Sequence, residues 1–400
     1  MPAAADNGAS LLDAELALPL LRDADPDEDS VTLAAEAAWP LLERTGIRPD
    51  ALILATTEPA YDEGGNTQPL AEFLGLAGAL SSFELTATDR DGLAAIRLAA
   101  ALASTGQTTL VVASGRRGAV ALLIGTGGGV ATVTPTATAT EELRDRWRLA
   151  GTAEREEADS SFVWDEGITA SASLVEGPAA IATPNPKAAG RAEKKRGGAG
   201  DPLPMYLGAA HGPARIVLGL AEAQTVLAAA GGLADAIRVE PSAGAAAVAD
   251  RARAALATWP AEGTARAIAW DGISPYTSGP RSWRERAQDF RLEGARCGSC
   301  SQLVFPYPAR CPHCGSAELT PELLSRTGTV VTQTRDHAFP MSKSTGMAVV
   351  ALDGGARFFG QVVPSASVEI GDRVRLVPRR LHLGGGAVQY FWKVTSADRG

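Results

Sequence analysis

Four cysteines, Cys297, Cys300, Cys311 and Cys314, stand in the spacing C-x2-C-x10-C-x2-C, and the chain of 400 residues holds no others. Two CxxC knuckles a short hairpin apart can set four thiolates at the corners of a tetrahedron, the arrangement Zn2+ takes in closed structural sites. Gly298 and Gly315 suit the tight knuckle turns. The competing readings are a pair of disulfides or a redox CxxC. A reducing compartment disfavours the first, and the paired knuckles disfavour the second. His313 lies inside the second knuckle, but four sulfurs already complete the shell, so it is expected to face solvent. A closed shell has no open position for water or substrate. It stabilises a small fold and leaves no cysteine elsewhere to serve as a nucleophile.

The rest of the chain divides by charge. Net charge is −9, yet residues 271–400 carry 16 Lys+Arg against 11 Asp+Glu, a net of +5, leaving −14 for residues 1–270. Eleven of the 21 aromatic residues fall in 271–400. Two differently built modules are expected. Apolar runs are short and interrupted, so no membrane span is expected. The start MPAAADNGAS lacks the basic and apolar regions of a signal peptide, and a cytoplasmic protein is expected.

After Cys314 the chain reads as short strands punctuated by Gly and Asp-Gly: GTVVTQTRDH, GMAVVALDGGARFFGQVV, GDRVRLVPRRL and AVQYFWKV. Some five strands in this length predict a small closed barrel such as an OB-fold. Before the ribbon, SWRERAQDFRLEGARC predicts an amphipathic helix with Trp283 and Phe290 on one side. The phrases RLEGARCGSC, FPYPARCPHCGS, GTVVTQT, VVALDGGARFFGQVV and IGDRVRLV resemble the zinc-ribbon/OB-fold family associated with acyl-CoA thiolases, over roughly 275–397. That resemblance implies a module that binds a thiolase-like partner and helps form an acyl-CoA complex without being the catalyst. A nucleic-acid reading stands beside it. Phe358, Phe359, Tyr390, Phe391 and Trp392 with Arg373, Arg375, Arg379 and Arg380 could bind single strands. Adjacent strand residues point to opposite faces, which favours a barrel core with a solvated basic edge. The acidic N-terminal module also argues against a polyanion partner.

From about residue 30 to 265 helix and strand patterns alternate. DSVTLAAEAAWPLLERTGIRPD predicts a helix capped at Ser30 and closed at Gly46; ALILATTEP, SSFELTAT, TTLVVAS and GAVALLIGTG predict strands; TQPLAEFLGL and DGLAAIRLAAALASTG predict helices. Later, GPARIVLGLAEAQTVLAAAGG reads as a helix and LADAIRVEPSAGAAAVADRARAAL as strand and turn. Buried strands between helices predict an α/β layered fold. The phrases DEDSVTLAAEAA, ALILATTEP and GLAAIRLAAAL resemble the thiolase superfamily, in its hydroxymethylglutaryl-CoA synthase and ketoacyl synthase III branch.

That resemblance implies a Cys–His–Asn constellation, in which the cysteine takes the acyl group and the other two handle protons and polarise a carbonyl. The matching phrases carry other residues. ELTATDRDGLAAI places Asp89 at the cysteine position, with Asp91 nearby; IATPNPK places Ala182 at the histidine; MYLGAAHGP places Tyr206 at the asparagine. Glu58 in TTEP matches the synthase's catalytic glutamate. Asp89, Asp91, Tyr206, His211 and Glu58 are therefore the polar candidates for any remaining chemistry. Helix capping is the competing role for the aspartates and a structural role for His211. In the basic stretch PNPKAAGRAEKKRGGAGDP, the resemblance implies that Lys187, Arg191, Lys194 and Lys195 meet coenzyme A phosphates; a solvated flexible loop is the alternative. GTGGGV at 125–130 fits no phosphate-loop pattern and reads as a strand-end turn.

The expected organisation is an N-terminal segment (1–27), a thiolase-like domain (28–268), a linker and helix (269–294), a zinc ribbon (295–318) and an OB-fold (319–400). The expected function is an accessory subunit of an acyl-CoA thiolase or acyltransferase-type complex. It would hold structural Zn2+ and a coenzyme A thioester, and would pair with a thiolase-like catalytic subunit or with itself. The alternatives are a stand-alone condensing acyltransferase or aldolase working through Asp89, Tyr206 or His211, and a single-strand-binding OB protein.

Overall fold

The computed structural model describes residues 8–20, 25–150, 152, 154, 156–159, 161, 167–198, 200–259, 279–337, 344–384 and 387–397. The chain divides into two compact units. The first comprises Met1–Leu18, Glu36–Thr67 and Gly78–Trp259; the second comprises Pro19–Ala35, Gln68–Ala77 and Pro260–Gly400. The helices of eight or more residues, together with a shorter α2, are in chain order α1 (Ser30–Thr45), α2 (Thr67–Phe73), α3 (Asp91–Ala103), α4 (Pro186–Lys195), α5 (His211–Leu218), α6 (Ala245–Thr258) and α7 (Gly279–Arg291).

The first unit is built on nine strands: β1 (Ala9–Ala17), β2 (Ala51–Ala55), β3 (Ser81–Leu85), β4 (Thr109–Gly115), β5 (Gly118–Gly125), β6 (Ala131–Thr140), β9 (Ala180–Ala182), β10 (Gln224–Ala230) and β11 (Leu233–Pro241). Their order across the sheet is β3-β2-β4-β5-β1-β6-β11-β10-β9, and a separate two-stranded ribbon joins β7 (Arg146–Trp147) to β8 (Glu156–Glu157). Because side chains alternate along a strand, β10 feeds two cores. Val226 and Ala228 pack with Leu93 and Ile96 of α3, Ile216 and Val217 of α5 and Val248 of α6. Leu227 and Ala229 face the opposite way, among Ile181, Val175 and Ala236. This is the α/β layered architecture expected from the alternating pattern.

Three local readings need correction. The cap of α1 is Asp29, not Ser30: its carboxylate accepts from the backbone of Val31 at 3.0 Å and Thr32 at 2.9 Å. The apolar run after His211 is a helix only to Leu218, and Gln224–Ala230 is a strand. Alanine favours helix in isolation, but pairing with β11 and burial on both faces decide the outcome. The stretch after β11, read as a turn, is the helix α6.

In the second unit a three-stranded sheet, β13-β12-β14, is made of β12 (Glu293–Cys297), β13 (Leu303–Val304) and β14 (Leu319–Leu323); Cys297 ends β12, and Cys300, Cys311 and Cys314 lie in the connections between strands. Five further strands follow, in the order β17-β16-β15-β18-β19: β15 (Thr327–Asp336), β16 (Thr345–Leu352), β17 (Arg357–Gln361), β18 (Arg373–Gly384) and β19 (Ala387–Ser396). A parallel bridge between Val362 and Val394 joins the two edges, so the sheet curls into the expected small barrel. Phe358 and Trp392 are fully buried and Tyr390 nearly so, whereas Phe359 is exposed. Phe73 of α2 belongs to this unit, its ring 4.9 Å from Phe290 and 5.7 Å from Tyr390. Phe290 is thus covered, but Trp283 is not: it is 67% exposed, with the Arg286 guanidinium 3.8 Å over its ring.

Candidate functional site

The α/β unit brings its sequence candidates together at the start of α3. Two glycines permit this. Gly92 lies so close to the turn before α5 that a Cβ there would sit 1.9 Å from the Ala209 carbonyl oxygen, and Gly208 adopts φ +61. We expect Gly92→Ala to destabilise the unit by about 1–3 kcal/mol through overpacking, measured as a lower urea midpoint at unchanged slope.

Asp89 is 7% exposed. One carboxylate oxygen accepts from the Thr57 hydroxyl at 2.7 Å, and the other from the Arg146 guanidinium at 2.5 Å. Burial, and then the negative charge of Asp89, push the Tyr206 phenol well above its usual pKa, so it stays protonated and is a donor rather than a base. The Tyr206 ring lies 4.6 Å from the His211 ring. His211 is buried; its Nε2 lies 3.0 Å from Asp201, and its Nδ1 accepts from the Leu207 amide at 3.4 Å. Asp201 is held below the usual carboxylate range by its hydrogen bond with His211, despite partial burial. Beneath these groups Arg215 donates to the buried Glu193 at 2.9 Å. Cavities of about 260 and 200 Å³ meet at Arg146: the larger is bordered by Thr57, Asp62 and Asp89, the smaller by Ser171, Thr183 and Asn185.

Asp91 does not share Asp89's site chemistry. Its carboxylate accepts from the amides of Ala87 at 2.8 Å and Thr88 at 2.9 Å, so it fastens the strand-to-helix turn. Glu58 likewise accepts a backbone amide, that of Arg116, at 2.7 Å. The two aspartates are therefore held by separate sets of partners. Ala182 ends β9 and offers no polar group. Within the basic stretch, Pro186–Lys195 forms the helix α4 and not a loop. Asn185 caps α4 through the Ala188 amide at 3.1 Å, Pro186 occupies the first position, and Lys187, Arg191, Lys194 and Lys195 are all exposed. Asn-Pro followed by cations at helical spacing, Lys187, Arg191, Lys194 and Lys195, was the signal for that helix. Arg146 had no signal, since nothing in the sequence pairs it with a residue 57 positions earlier.

The four cysteine sulfurs lie within 4.8 Å of one another, with 3.6 Å between Cys297 and Cys314 and 3.7 Å between Cys300 and Cys311. A tetrahedral ion with Zn–S bonds of about 2.3 Å needs sulfurs about 3.8 Å apart, and a disulfide needs about 2.05 Å, so the set fits zinc and not a disulfide. His313 is exposed beside this set.

Residues 284–320 match the family described as the ChsH2, rubredoxin-like zinc ribbon domain. A DUF35 domain-containing scaffold protein of Methanothermobacter thermautotrophicus is 33% identical over 122 residues, which are 28% of this chain and 92% of the relative. The chain belongs to the DUF35-domain family. A second member, from Methanocaldococcus jannaschii and described in the same words, is 34% identical over 122 residues, 28% of this chain and 86% of its own. Most of the chain lies outside the stretch shared with these two DUF35 proteins. Among solved structures, MvaS in complex with 3-hydroxy-3-methylglutaryl coenzyme A is 17% identical over 67% of this chain and 95% of its own, with a TM-score of 0.47. The 3-oxoacyl-[acyl-carrier-protein] synthase III of Aquifex aeolicus VF5 is 13% identical over 58% and 100%, with a TM-score of 0.49. No helix among the described residues is long and apolar enough to cross a membrane.

Proposed function

We propose that this chain is an accessory, non-catalytic subunit of an acyl-CoA complex that makes or breaks C–C bonds through a thiolase-like partner. One observation carries the reading. The residue standing where the resemblance reserves a nucleophile, Asp89, is fixed by Arg146 and Thr57. A carboxylate so neutralised is a poor acyl acceptor, and Tyr206 beside it holds its proton. Both the description of the DUF35 relatives as scaffold proteins and the zinc-ribbon match support an organising role. Zinc would hold the ribbon through Cys297, Cys300, Cys311 and Cys314. The exposed cations of α4, Lys187, Arg191, Lys194 and Lys195, would steer and hold the phosphates of a coenzyme A thioester.

Two measurements test this. The isolated chain should not turn over acetyl-CoA or acetoacetyl-CoA, and Asp89→Asn should change nothing; turnover abolished by Asp89→Asn or Tyr206→Phe would establish the stand-alone enzyme instead. In native mass spectrometry with acyl-CoA present, a cysteine-bearing thiolase-like chain should be recovered in fixed ratio. Exposed ion contacts contribute about 0.2–1 kcal/mol each. The triple variant K187E/K194E/K195E should therefore weaken acyl-CoA binding roughly tenfold, and unchanged affinity would remove α4 from the ligand site.

A further inference from the structure

The barrel unit contains an unusual burial of like charge. Asp25, Asp27, Glu28 and Asp29 crowd into five residues, and each is between 0 and 6% exposed. Water cannot screen them there, so fixed cations and donors must. Strands β18 and β19 supply these. Arg379, fully buried, donates to Glu28 at 2.8 Å; Lys393 donates to Asp27 at 2.7 Å; the Tyr390 hydroxyl donates to Asp29 at 2.9 Å. The backbone joins in, since the Arg380 amide donates to the Asp27 carbonyl at 2.9 Å and its guanidinium to the Pro26 carbonyl.

The acidic segment is also held by hydrogen bonds of its own. Glu28 bends back to accept the amides of Leu20 at 3.2 Å and Asp25 at 2.9 Å, and Asp29 caps α1. Leu20 adds an apolar contact, packing against Val363 and Val377. The two partners lie about 350 residues apart in sequence. Nothing in the contact therefore requires them to be covalently joined. It has the composition of an interface hot spot, with buried Arg and Tyr anchors meeting complementary charge.

We propose that the β18–β19 face is a recognition site for an acidic helix start of the form D-x-D-E-D, and that this chain fills it in cis with Asp25–Asp29. The buried cations provide the selectivity. A segment lacking Asp27 would take the counter-charge from Lys393, and one lacking Glu28 would take the nearer of two carboxylates from the buried Arg379, which penalises wrong partners more than it rewards the right one. Tethering keeps the cis occupant at an effective concentration on the order of millimolar, so the site is closed to acidic segments in trans while the cis contact is intact.

The test uses the full chain and a fluorescein-labelled synthetic peptide of residues 19–35. In D27N/E28Q the cis occupant is neutralised, and the peptide should bind saturably, with an affinity falling as salt rises. The wild-type chain should bind it at least tenfold more weakly, and adding Arg379→Met to the variant should abolish binding. Equal affinity for wild type and variant, or no binding to a variant that keeps its equimolar zinc, overturns the proposal. Should the variant fail to fold, the peptide is given a photo-crosslinker and presented at millimolar concentration to the wild-type chain. Crosslinks confined to β18–β19 support the site; crosslinks elsewhere, or none, overturn it.

Discussion

Replacing Cys311 with alanine will empty the ribbon of metal and unfold it. The wild-type chain should carry one equivalent of zinc, and the variant close to none. The reason lies in how little else holds this part of the chain. Its buried side chains amount to a few small apolar groups, among them Leu292, Ala295 and Leu303, together with Cys297 and Cys311 themselves. Three short strands with so small a core bury too little surface to offset the entropy of ordering them. A structural zinc contributes about 10–16 kcal/mol of binding free energy in small zinc-dependent folds at neutral pH, which exceeds any such deficit. Hydrogen exchange read by mass spectrometry should show β12, β13 and β14 losing protection. Strands β4 and β5, buried along their whole length in the α/β unit, should keep theirs. A Cys311→Ala chain that retained equimolar zinc and a protected β12 would show that the four sulfurs do not act as one site.

The difference between what was legible in the sequence and what was not follows from the range of the interactions. The cysteine quartet needed only local spacing, and so did the turn glycines and the strands from β15 to β19. The run 224–230 was misread because alanine's intrinsic preference is helical, while its neighbour β11 and two cores form only in the folded chain. The basic edge of β18 was misread for the same kind of reason. Alternation placed Arg379 in solvent, but the structure buries it against Glu28. Similarly, Asp89 stands where the resemblance places a catalytic cysteine, yet its pairing with Arg146 is a long-range contact no motif encodes.

The acidic cluster of the barrel unit yields the other large expected effect. Arg379→Met removes a fully buried guanidinium from Glu28 and leaves the carboxylates of Asp27 and Glu28 in the interior. Breaking one side of a buried pair costs about 3–5 kcal/mol, because the remaining charge keeps its desolvation penalty. Removing both charges in R379M/E28Q should recover much of that loss, which a double-mutant cycle in urea measures. Acidity should act on the same cluster. Burial, and then the charge of Asp27, raise Asp25 from 3.8 to about 6. A carboxyl whose folded pKa lies above its unfolded value stabilises the fold fully below the unfolded value, and that contribution is lost as pH rises through the folded one. The barrel unit should therefore gain stability between pH 7 and pH 4, by up to about 3 kcal/mol at 1.36 kcal/mol per pKa unit, before acid titrates the paired carboxylates. Asp25→Asn should flatten this dependence and be the more stable form at pH 8. The comparison isolates one proton, since Asp27, Glu28, Arg379 and Lys393 are present in both chains. If wild type and Asp25→Asn differed by the same amount at pH 5 and pH 8, the Asp25 proton would have no part in holding the segment. The cluster would then be stabilised by its ion pairs alone.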